Sequence, residues 1–242
     1  MEEPAAYITK NQGVPNTVHY IGVDFSLNSP GICILSKDSC RWISLHRTKN
    51  IIANMIKKEG SPFKVLNDTD FVDINIITRK EFSDEYHIKE REKIINAVYF
   101  SDLAIELLEP YLKHDTVVGM EGLSFGSSGN SLIDISMTTA LFRSGIIKRI
   151  NPENFFVFSP TTIKKFALKG NCKKDELYER LIEKRKEDLR LFPFINILEQ
   201  NKASWVKGTN KVENPCSDLI DATWISLFIE ENVEKLLKTT SL

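Results

Sequence analysis

Three short apolar segments follow one another between residues 18 and 46, parted by turns of only a few residues. Val18–Phe25 is apolar and β-branched and carries Asp24 near its end. Ile32–Leu35 returns after the turn Ser26–Gly31, and Arg41–His46 alternates after Lys37–Ser39. Parallel strands need a crossover of a dozen residues or more, so links this short dictate an antiparallel meander. The period then changes. Ile88, Ile94, Ile95, Val98, Leu103 and Leu107 recur near a 3.6 spacing and predict a long helix over Glu85–Leu112, with Pro110 kinking or ending its last turn. Thr116–Leu123 reads as a fourth strand, Ser131–Arg149 as a helix and Asn154–Phe158 as a fifth strand. Ser159-Pro160 starts a helix running to about Leu168, because Ser caps and Pro suits the first position. Further helices are expected over Lys173–Asp188 and Ser217–Lys238. This order predicts an α/β fold, a mixed five-stranded sheet flanked by helices on both faces.

Outside that frame, residues 1–17 read as a loose N-terminal arm and 189–216 as irregular. Residues 47–83 read as an insertion into a single domain over 18–242, with a short helix near Ile51–Lys58 and an extended piece near Val72–Thr78. At 42% hydrophobic and 27% charged, the chain has enough apolar surface for one sizeable core. No apolar run approaches the roughly 20 residues of a membrane span, and no signal peptide is visible, so a soluble intracellular protein is expected. Cys33, Cys40, Cys172 and Cys216 lack metal-ligand spacing and read as buried free thiols. The four histidines are scattered without ligand spacing.

Four carboxylates stand where apolar patterning does not want them. Asp24 closes an apolar strand, where a turn-forming role is the simpler alternative. Glu121 lies in Val117-Val-Gly-Met-Glu-Gly-Leu123, where an unpaired carboxylate is costly and a salt bridge is the alternative reading. Asp218 and Asp221 are three apart at a helix start and share a face, although the helix dipole alone also favours acids there. Taken together, acids on a strand end, within a strand and at a helix start repel one another unless cations sit between them. Hard oxygen ligands of this type suit Mg²⁺ or Mn²⁺, and a pair of such ions is the usual device for phosphodiester hydrolysis.

Ile21-Gly-Val-Asp24-Phe-Ser26-Leu-Asn-Ser29, Glu121-Gly-Leu-Ser-Phe-Gly126 with Ser127-Ser-Gly129, Ser159-Pro160 through Ile163-Lys164-Lys165 with Gly170 and Lys173-Lys174, and Asp218-x-x-Asp221-Ala222 occur in a fixed order. In that order they resemble the motifs of the RuvC-like Holliday junction resolvases of the RNase H-like superfamily, above all the branch carried by large phages and related viruses. The resemblance covers most of the chain, leaving out 1–17, about 47–83 and about 189–214. It implies an RNase H-like fold, Asp24, Glu121, Asp218 and Asp221 as catalytic and metal-binding acids, and two Mg²⁺ per site with Mn²⁺ as a substitute. It further implies branched DNA as substrate, a homodimer, and neither a membrane nor a small-molecule cofactor as partner. The long gap from Asp24 to Glu121 and the long segment before Asp218 depart from the short bacterial enzymes.

Lys164, Lys165, Lys169, Lys173 and Lys174 fall in one stretch without an acid, which is either a solvated face or a phosphate-contacting rim. Lys207 beside Trp205 either pairs charge with a stacking surface or belongs to a loop that the Trp simply anchors, and Phe125 stands at the entry of the Gly/Ser loop, where it wedges against bases or packs inward. A net charge of −1 is unusual for a nucleic-acid binder, unless acids at the centre and bases at the rim cancel. Two rivals remain: a non-catalytic DNA-structure binder on the same fold, and an actin-like ATP-binding phosphotransferase, whose phosphate loop Gly22–Ser26 resembles and which needs a duplicated second domain.

Overall fold

The computed structural model describes residues 17–48, 58–78, 82–122, 130–185, 187–206 and 211–240. The three expected hairpin strands form as β1 (Tyr20–Asp24), β2 (Gly31–Leu35) and β3 (Cys40–Thr48), paired antiparallel in the meander that the short turns require. β5 (Val117–Glu121) adds parallel to β1, and β6 (Phe155–Phe158) parallel to β5.

Among the described residues the sheet has six strands, not five. β4 (Val72–Thr78), expected as an extended piece of the insertion, pairs in parallel with the outer edge of β3, giving the order β4-β3-β2-β1-β5-β6. The residues between Thr48 and Val72 supply the crossover length that a parallel partner needs. Within that crossover lies α1 (Pro62–Asn67), where Ser61 Oγ accepts from the Lys64 backbone N–H at 3.2 Å and Phe63 and Leu66 are buried. The helix expected near Ile51–Lys58 falls almost wholly outside the described residues.

Alternation along the strands sorts the core into two layers. Ile21, Val23, Ile32, Ile34, Val118 and Met120 face α2 (Tyr86–Leu108) and α3 (Asn130–Ile147), packing on Phe100, Ala104, Phe142 and Ile146. α2 ends as expected at Pro110, in a short 3₁₀ turn over Glu109–Tyr111. The opposite face carries α4 (Pro160–Ala167), α5 (Lys174–Arg185), α6 (Phe192–Gln200), α7 (Lys202–Trp205) and α8 (Cys216–Thr240). The segment expected to be irregular therefore holds α6 and α7, whose Phe194, Ile195, Leu198 and Trp205 complete this second layer. All four cysteines are free and buried, with Cys33 and Cys40 Sγ atoms 3.3 Å apart. No helix among the described residues is long and apolar enough to cross a membrane.

Candidate active site

If Ile21, Val23 and Met120 point to the α2–α3 layer, the next residues on β1 and β5 must point the other way. Val23 and Met120 are register partners, so Asp24 and Glu121 stand level at the carboxyl ends of neighbouring parallel strands, both on the face covered by α8. α8 brings the other two acids. Its backbone lies so close to the sheet that a Cβ on Gly22 would strike the Ala222 carbonyl and the Ser226 amide, and one on Gly31 would strike the Asp218 backbone. Gly31 is itself the register partner of Asp24. Two glycines thus let the first turns of α8 settle against β1 and β2 beside Asp24. Three separate elements deliver the four predicted acids to one end of one sheet face.

The electrostatics follow from that crowding. Asp218 and Asp221 are buried, whereas Asp24 and Glu121 keep part of their surface in solvent. Desolvation, and then the Asp24 charge, push the Glu121 carboxyl up to about 7. The same two causes push Asp218 up to about 7, against the opposing effects of the Ser29 hydroxyl and Lys174. Asp24 is also raised, mainly by desolvation, while Lys174 and Lys164 pull it back. Asp218 Oδ2 is buried without a hydrogen-bond partner. Among the described residues, no three carboxylate, imidazole or thiol side chains form a ready-made metal cage. Instead, the Lys174 ammonium is ion-paired with Asp221 and interacts with Asp24, Glu121 and Asp218 as well.

The lysine stretch divides into distinct environments. Lys164 lies beside Asp24 and Glu121; Lys165 and Lys173 are exposed; Lys169 is tied to Glu176 at 2.6 Å. Ser159 caps α4 as expected, its Oγ accepting from the Thr162 backbone N–H at 3.3 Å. Trp205 corrects the sequence reading. It is 0% exposed, and its indole N–H donates to the Leu198 carbonyl at 3.2 Å, so it anchors the core and offers no face to a base. Phe125 and Lys207 lie outside the described residues. Sequence reasoning carried Ser29 only as the end of the first motif and assigned no role to it, although it is buried beside Asp218, nor to Gly22 and Gly31. The signal available for Gly22 was its place inside an apolar strand, where glycine marks a close backbone approach, whereas Gly31 follows Pro30 and reads as a turn residue.

The antiparallel β3–β2–β1 meander is continued by parallel β5 and β6, with helices on both faces. The fold is RNase H-like. No family model matches the chain, and no curated protein does. Among solved structures it is similar to Thermus thermophilus RuvC, at 13% identity and a TM-score of 0.43, over 90% of this chain and 96% of that one. A T. thermophilus RuvC in complex with a Holliday junction substrate matches at 9% identity and a TM-score of 0.43, over 88% of this chain and 95% of that one. The yeast mitochondrial Holliday junction resolvase matches at 15% identity and a TM-score of 0.46, over 94% of this chain and 83% of that one.

Proposed function

We propose that this chain is a metal-dependent, structure-specific DNA endonuclease of the RuvC-like resolvase type, which hydrolyses phosphodiesters at four-way and other branched DNA. The observation that carries this reading is the meeting of Asp24, Glu121, Asp218 and Asp221 at one end of the α8 face of the sheet, with Lys164 and Lys174 beside them. The donor set fits a hard divalent cation: it is all oxygen, its members repel one another, and Asp218 Oδ2 is buried without a partner. The four acids would hold two Mg²⁺ or Mn²⁺ ions, which supply Lewis-acid stabilisation of a phosphodiester and a water of lowered pKa.

The chain's own groups do the rest. Asp24, level with Glu121 and facing α8, is the acid placed to serve both halves of the cluster. Lys164, Lys165 and Lys173 form a rim that contacts phosphates and carries no sequence preference. Lys169 joins them once Glu176 releases it. A homodimer has a surface available on α2, where Ile94, Ile95 and Tyr99 are 52%, 60% and 57% exposed.

The test is incubation with a labelled four-way junction, a Y-fork and a linear duplex, with and without Mg²⁺. Cleavage of the branched substrates that requires Mg²⁺ and disappears in Asp24→Asn is the expected result. Tight junction binding with no cleavage under any divalent metal would leave the protein as a non-catalytic binder and overturn the proposal.

A further inference from the structure

We infer that Lys174 is the built-in counter-ion of the acid cluster, held by Asp221 in the metal-free protein and released to solvent when divalent ions bind, so that it sets how tightly metal is held. This rests on the metal-site reading above and concerns a residue that the sequence placed only among phosphate contacts.

Lys174 is the first residue of α5, the end of a helix where positive charge is disfavoured. The helix has its own acids there, Asp175 and Glu176, so it gains nothing from the lysine. Packing against α8 explains the position. Lys174 meets Asp221, and three residues on along both helices the Trp224 indole N–H donates to the Leu177 carbonyl at 3.2 Å. Leu177 and Trp224 are buried, so this contact fixes the register of α5 and aims its first residue at the acids. Among the described ion pairs, Lys174–Asp221 alone joins a lysine to one of the four acids.

The lysine also has a way out. Its side chain is 41% exposed, whereas that of Asp221 is 10% exposed. A flexible four-carbon stem lets the ammonium withdraw while α5 stays packed. Charge favours that withdrawal: two divalent ions supply the positive charge that the acids otherwise draw from Lys174 and from Lys164, and an ammonium kept at Asp221 would repel them. Metal entry and the Lys174–Asp221 pair therefore compete for the same carboxylate.

The experiment measures Mn²⁺ binding to the DNA-free full chain, by titration calorimetry or by the loss of the free-ion electron paramagnetic resonance signal, together with the metal-free Tm. Lys174→Gln removes the charge, Lys174→Met keeps the apolar stem in case the first variant folds poorly, and Lys174→Arg keeps the charge. The expected result is Mn²⁺ affinity raised roughly two- to fivefold in the Gln and Met variants, since losing a partly exposed competing ion pair is worth about a factor of this size. Their metal-free Tm falls, and Lys174→Arg stays near wild type in both readouts. Unchanged or weaker Mn²⁺ binding in folded Gln and Met variants, with wild type binding Mn²⁺ and Asp24→Asn losing it, would overturn the inference and leave the metal site standing. Wild type that binds no Mn²⁺ at all would overturn both.

Discussion

Asp24 draws the other acids into one electrostatic unit: its charge raises both Glu121 and Asp218, and its own carboxyl is raised by desolvation. Asp24→Asn keeps the shape and removes one repelling charge. The expected outcome is junction cleavage reduced by about a thousandfold or more, as when a charge-stabilising centre cannot assemble. Metal-free Tm should stay equal or rise, and gel-shift binding to a junction should persist. A second prediction concerns pH. Unfolded, these carboxyls titrate near their ordinary values of about 4; folded, Glu121 and Asp218 titrate at about 7. The folded chain therefore holds more protons between those limits. Metal-free stability is greatest at the acid end and falls as pH rises through about 7, then levels. Thermal melts from pH 5 to pH 8.5 should show this decline, and Mg²⁺ should raise Tm more at pH 8 than at pH 5.5. A Tm that climbs steadily with pH in metal-free buffer would contradict it.

At the scale of elements, the site depends on how near α8 lies to the sheet. Gly22→Ala places a methyl group against the Ala222 carbonyl and the Ser226 amide, forcing the helix outward. Overpacking of this kind costs about 1–3 kcal/mol, so denaturant melts should show that loss, and cleavage should drop further than stability alone explains. On α4 and the turn into α5, Lys164→Ala and Lys173→Ala should each flatten the salt dependence of junction binding by roughly one unit of slope. The long elements were legible in the sequence because their periods are clear, and so was the set of four acids, because each breaks an apolar pattern. What stayed hidden was short or ambiguous. α1 spans six residues, too few for a period, although Ser61-Pro62 repeats the Ser159-Pro160 start that was read correctly further on. Trp205 among lysines looks the same in sequence whether it faces inward or outward, and only packing on Tyr178 and Leu198 decides. The inward turn of Lys174 depends on the α5–α8 register, which no local pattern records.

Across the whole molecule, the sheet and the helical layer that carries α8 are tied together at a charged knot. Arg190 donates to Asp188 at 2.8 Å, to Glu230 on α8 at 2.6 Å and to the Ser36 carbonyl in the β2–β3 turn at 2.9 Å. Arg190→Ala would leave two acids facing each other around a partly buried gap, and a loss of about 3 kcal/mol in chemical denaturation is expected. α8 itself spans the sheet and touches β1, β2, β3 and β5, yet its first turns also hold half of the acid cluster. Asp24 and Glu121 are synthesised long before Asp218 and Asp221, and the site has no complete acid set until α8 has left the ribosome and docked. A chain still being made, or one broken off ahead of residue 216, lacks Asp218 and Asp221 and so, on the function proposed above, could bind DNA but not cut it.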